Sequence, residues 1–305
     1  MYVEFGNLFY FIYIGIALII TLLTIAFLNK RTQKFRYWFI FGMIMFAFLV
    51  HFLKIFIPPY STHVPQGSIL TKVSLENICA VSTVAFPFLY FTKNKTLKDY
   101  MVMVGMASGI LTFMFPVDAI SPYFNGQQIG QKTAFSIEVI RFYTAHYIIF
   151  AAPFFMMFYK MHELSVKRVW RAPIILIGVL IIIFINEVII TYVFKWVPES
   201  EFFDPQFRNP SFVFGIRGDL TGIGAILGIL VPVVFRSNPV TGQPHFWPVI
   251  WLILPTLVYG SLISFIFTFI YDKENTMKYI KHKLLRTKVE IEELTETEAE
   301  KEMNI

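Results

Sequence analysis

The stretch Glu138–Phe158, EVIRFYTAHYIIFAAPFFMMF, decides how the rest of the chain is read. It is long and apolar enough to cross a bilayer, which takes ~20 residues. Yet it carries Glu138, Arg141 and His146. Ionisable groups at membrane depth are costly and normally face a bundle interior or a wet cavity. At ~100° per helical residue, Arg141 falls near ~−60° and His146 near ~+80° from Glu138, so the three share one broad face. That face needs other helices to cover it, which makes the stretch one span of a helical bundle.

Composition agrees. Of 305 residues, 56% are hydrophobic and 15% charged, where a soluble domain carries roughly 25% charged residues. The 35 Phe and 15 Tyr suit lipid-facing surfaces and interfacial belts. The net charge of +6 is spread over short loops and the tail, so it reads as a topology signal with no nucleic-acid patch. Cys79 is the sole cysteine, which excludes an intramolecular disulfide and any multi-Cys metal site. There is no Gly-rich phosphate loop, and no cofactor or metal is expected. The opening MYVEFGN has no basic residue ahead of the first apolar run, so that run is read as a retained span and not a cleaved signal.

Working outward, the apolar runs are Leu8–Leu28, Tyr37–Ile57, Val73–Phe91, Tyr100–Val117, Glu138–Tyr159, Ala172–Phe194, Leu220–Phe235 and Pro248–Tyr271. Basic residues cluster after the first run (Lys30, Arg31, Lys34, Arg36), the third (Lys93, Lys95, Lys98) and the fifth (Lys160, Lys167, Arg168, Arg171). Lys and Arg mark the cytoplasmic side, so the N-terminus is expected outside. A basic tail from Lys273 to Lys288 is cytoplasmic if the short, Gly-rich Leu220–Phe235 does not cross. The expectation is an all-α polytopic bundle in the cell membrane, with seven spans plus one short re-entrant or partial segment. Eight spans is the alternative. Residues 1–271 form the bundle and 272–305 a charged cytoplasmic tail, of which Glu290–Ile305 has no apolar face to bury. Trp38, Trp170, Trp196, Trp247 and Trp251 lie near run ends, as interfacial anchors do. Pro87, Pro153, Pro232 and Pro255 predict kinks or breaks.

Counting residues from the outer end of each span puts His51, Cys79, His146, Asn186 and Glu187 in one layer, ~10–13 Å deep. Five polar or reactive groups at one depth, drawn from four separate helices, suggest a shared cavity. Each has a plainer reading. A buried Cys commonly packs as a small apolar residue. His146 fits an interhelical hydrogen bond. Glu138 and Arg141 fit an ion pair near the interface. His51 lies close to the membrane surface. The Asn186–Glu187 pair interrupts an apolar helix, and its carboxylate needs a partner or a proton. Glu76, Cys79 and Thr83 are three and four apart and so share a helix face. A carboxylate there opposes a thiolate unless a cation intervenes.

The stretches LENICAVSTVAFPFLYFTKNKTLKDYMVMVGMASGILTFMFP and IRFYTAHYIIFAAPFFMMF resemble the YwaF family of bacterial integral membrane proteins. INE falls at that family's asparagine-bearing helix, and FWPVIWLILPTLVYG resembles its last span. Residues 73–195 carry most of the resemblance. The lead-in SLENIC and the region Val197–Asp219 depart from the family pattern. The family's eukaryotic relatives are TMEM-type ether-phospholipid transacylases. The resemblance implies a cysteine nucleophile at Cys79, a histidine at His146, and a membrane phospholipid or lysolipid as partner. In that reading Asn186 orients the histidine or donates to an oxyanion. Two other readings stand beside it. One is a transporter or ligand-binding bundle with Glu187, Glu76 and Arg141 as a relay. The other is a scaffold whose polar layer only fixes helix register.

Overall fold

The computed structural model describes residues 1–124, 127–204, 211–216, 221–283 and 285. It is an all-α bundle built from α1 (Leu8–Asn29), α2 (Gln33–Leu53), one-turn α3 (Tyr60–His63), α4 (Ile78–Phe91), α5 (Lys95–Met114), one-turn α6 (Val117–Ile120), α7 (Ile137–Phe158), α8 (Arg171–Val188), α9 (Thr221–Gly228) and α10 (Ile250–Tyr271). Among the described residues the only named strands are β1 (Tyr123–Phe124) and β2 (Gln127–Gln128), paired antiparallel. Six helices are long and apolar enough to span a bilayer, and a bent helix pair makes a seventh.

Local chemistry sets the helix starts. Side-chain oxygens of Asn7, Thr32, Asn77, Asn94 and Ser136 each accept a hydrogen bond from an N–H in the first turn of α1, α2, α4, α5 and α7. Such caps satisfy donors that no helix can satisfy internally. Apolar side chains such as Leu18, Leu22 and Leu23 of α1 remain exposed, which suits a lipid environment and would be a liability in water.

The third apolar run is not one continuous span. A 3-10 segment, Gln66–Val73, meets α4 at 62° across Ser74–Asn77. The polar lead-in takes the chain out of helix there. Ser74 Oγ donates to Thr71 O at 2.6 Å, and Asn77 caps α4 through Ala80 N at 2.8 Å. Glu76 therefore lies ahead of the helix and does not share an α4 face with Cys79. Among the described residues of the Gly-rich run Leu220–Phe235 there is the eight-residue α9, ~12 Å long against a ~30 Å hydrocarbon core, and a single 3-10 turn at Val233–Phe235. Gly and the following Pro232 limit it, and it remains a partial segment. Trp251 departs from the belt expectation. It is 1% exposed, and its Nε1 donates to Phe212 O at 2.9 Å, tying α10 into the core.

α5 and α7 pack with very little between them. A Cβ on Gly105 would lie 2.9 Å from Ile149 O, and one on Gly109 would lie 2.5 Å from Phe150 Cβ and 3.2 Å from His146 O. Those glycines set the His146 turn of α7 directly against α5. At the other end of the same pair, buried Asp99 accepts from His162 Nε2 at 2.7 Å and from Arg168 Nε at 2.6 Å. This network fastens the start of α5 to the segment that joins α7 and α8. Beyond α10, residues 273–283 are helical and only Thr276 among them is buried. Glu290–Ile305 lies outside the described residues.

Candidate functional site

A cavity of about 720 Å3 opens at the end of the bundle away from Asp99. His51, Glu76, Cys79, Glu138, Arg141 and His146 all line it. The break before α4 is what positions the thiol: Cys79 is the second residue of the helix, beside the Asn77 cap. Backbone N–H groups in a first helical turn point along the axis and favour negative charge in front of them. Thr83 Oγ1 donates to Cys79 O at 2.7 Å, which fixes this turn from within.

His146 reaches the cavity from α7. Its Nδ1 lies 2.8 Å from Phe142 O. A carbonyl can only accept, so Nδ1 carries the hydrogen and the neutral ring offers its lone pair at Nε2. Among the described residues Nε2 makes no hydrogen bond. The Phe142 ring packs against it at a tilt of 47°, with 4.4 Å between centroids.

The ionisable wall has its own order. Arg141 grips Glu138 with two bonds, Nε to Oε2 and Nη2 to Oε1, both 2.6 Å. Tyr60 closes the group, donating to Glu138 Oε1 and accepting from Arg141 Nη2, both at 3.1 Å. His51 Nε2 meets Val73 O at 3.1 Å and holds the end of the 3-10 segment. Lys54 faces Glu76 with Nζ 3.8 Å from Oε1. It is the basic partner of Glu76 on this wall.

Asn186 and Glu187 are placed differently from the expected shared layer. Neither lines the cavity. Asn186 Oδ1 accepts from Leu75 N at 3.2 Å, and its Nδ2 donates to Ser74 Oγ at 3.2 Å and to Glu187 Oε1 at 3.3 Å. Asn186 therefore braces the break before Cys79 and does not orient the histidine, whose Nδ1 is held by its own helix. Depth counting along α8 could not distinguish the two, because it fixes height and not azimuth. It also leaves the Glu76–Arg141–Glu187 relay without a common surface, since Glu187 is 1% exposed and off the cavity.

Sequence reasoning missed Lys54, Tyr60, Lys72, Asp118 and Lys132, which also line the cavity. They lie in segments read only as span ends or loops. The available signal was a pair of lysines, Lys54 and Lys72, flanking a segment otherwise poor in basic residues. No group of three or more His, Cys, Asp or Glu among the described residues is arranged to hold a metal ion.

Fold and site define a multi-pass, all-α membrane protein with a polar cavity at one end. The chain belongs to the TMEM164 family, whose profile matches residues 4–195 and so takes in every helix from α1 to α8. No curated protein and no solved structure matches the chain.

Proposed function

We propose that the protein is a thiol-dependent acyltransferase acting on membrane phospholipids, with Cys79 as nucleophile and His146 as base. The observation that carries this reading is that one cavity is lined by both the chain's only thiol and a histidine whose Nε2 is the open nitrogen. His146 Nε2 takes the thiol proton, and the thiolate attacks the ester carbonyl of a phospholipid. The tetrahedral intermediate collapses, the lysolipid alkoxide leaves with the proton from His146, and the acyl chain stays on sulfur as a thioester. An acceptor lysolipid hydroxyl then gives its proton to Nε2, attacks the thioester and releases the thiol, which recovers that proton. The Cys79 N–H, which makes no hydrogen bond among the described residues, is available to the oxyanion. The resemblance to YwaF-type proteins and their transacylase relatives supports the same assignment.

The reading is tested by trapping the intermediate. Purified protein incubated with phospholipid vesicles free of lysolipid should gain one fatty-acyl mass on Cys79, removed by neutral hydroxylamine. Acylation at another residue, or none in an otherwise folded protein, moves the weight to a binding or transport role.

The same proposal places the protein in the cell membrane with its N-terminus outside and its C-terminus cytoplasmic. The support is the alternation of Lys and Arg between loops. Reporter fusions at both ends should give opposite compartments; two ends on one side would reverse the direction of every span after the error.

A further inference from the structure

Lys54 begins the 3-10 turn that follows α2 and is 7% exposed. Its ammonium has three donors. Among the described residues it makes no hydrogen bond: Glu76 Oε1 is 3.8 Å away and the Tyr60 ring centroid 5.4 Å. Both distances exceed hydrogen-bonding reach. Its stem is buried while the ammonium itself reaches the open cavity, so these donors are presented to whatever fills that space. Arg141 is a contrast, since Glu138 and Tyr60 already engage its guanidinium. A phosphodiester brings a negative charge and oxygens that accept such donors. Leu111, Phe115, Ile149 and Ile223 give the same cavity an apolar wall suited to an alkyl chain.

We propose that Lys54 binds a phosphodiester oxygen of a lipid headgroup and thereby determines which lipids enter the cavity. The proposal rests on the reading of this cavity as a lipid site and adds the group that recognises the head. Lys54 is a positioning residue here, because it holds the substrate away from the reacting carbonyl.

The test is binding, measured on Cys79→Ala protein in detergent so that no acyl transfer intervenes. The probes are lysophosphatidylcholine and a monoacylglycerol of the same chain, which lacks the phosphate. Lys54→Met should weaken lysophosphatidylcholine about tenfold or more, as loss of a charged hydrogen bond does, and leave the monoacylglycerol unchanged. Lys54→Arg should retain most of the affinity. Since Lys54→Met leaves Glu76 without its cation, Lys54→Met/Glu76→Gln provides a second, charge-balanced variant with the same expected discrimination. Equal weakening of both lipids, or no weakening in either variant, overturns the proposal. Inorganic phosphate separates the sources. Failure of 10 mM phosphate to displace the lipid supports a headgroup ligand, whereas displacement that disappears in Lys54→Met overturns the lipid source in favour of a soluble phosphate compound. Headgroup discrimination without any acyl transfer by wild-type protein removes the catalytic reading alone, and acyl transfer without headgroup discrimination removes this one alone.

Discussion

Cys79→Ala is expected to lower phospholipid acyl transfer by at least about a thousandfold, ~4 kcal/mol of barrier. His146→Ala should cost ~10²–10⁴, the usual contribution of a positioned general base. The two losses should not multiply. Without sulfur there is no proton for Nε2 to take, and without Nε2 the thiol stays protonated, so the double variant should resemble the worse single variant. Neither change should disturb folding much. Cys79 lies at a cavity wall, where losing sulfur leaves no sealed void, and the Phe142 carbonyl freed by His146→Ala is already inside a helix. The measurement is transfer of a labelled acyl chain to lysolipid by reconstituted protein, with the melting temperature of each variant alongside. Undiminished transfer by Cys79→Ala, or losses that multiply in the double variant, would sink the mechanism.

The second large effect concerns the ion pair on the same wall. Arg141→Met should destabilise the protein by about 3–5 kcal/mol, because it leaves the Glu138 carboxylate buried without its cation. The side chains are 12% and 9% exposed, so water offers little relief. Removing both charges together, as Arg141→Met/Glu138→Gln, should restore much of that loss, since the Tyr60 hydroxyl can still donate to the amide oxygen. Thermal unfolding in detergent distinguishes the cases. If the single variant melts with the wild type, water reaches the pair and the ion pair does not hold the wall together.

The spans were legible because hydropathy alone identifies ~20-residue apolar runs, and Glu138, Arg141 and His146 stood out against such a run. Four features were not legible, each for a physical reason. Asn186 has the same depth as Cys79 but faces the Ser74–Leu75 backbone, and depth says nothing of direction. The break before Cys79 interrupts a run that hydropathy joins, because Ser74, Glu76 and Asn77 are too few to lower its average. Trp251 lies near a run end by sequence, yet the Phe212 carbonyl that holds it comes from 39 residues away. Lys54 and Lys72 were invisible as cavity residues because a lysine near a span end ordinarily snorkels to water; here both are buried.

The shortness of α4 has a consequence for the lipid around it. With 14 residues it is ~21 Å long, some ~9 Å less than the hydrocarbon slab it helps to cross. The remaining thickness is occupied by irregular chain and a charged hollow, structures that cannot face acyl tails directly. Such a wall suits headgroups and water drawn in beside this helix, toward the sulfur. A glycerol ester sits at the polar boundary. In the proposed reaction the ester bond would then meet the sulfur without the lipid leaving the leaflet.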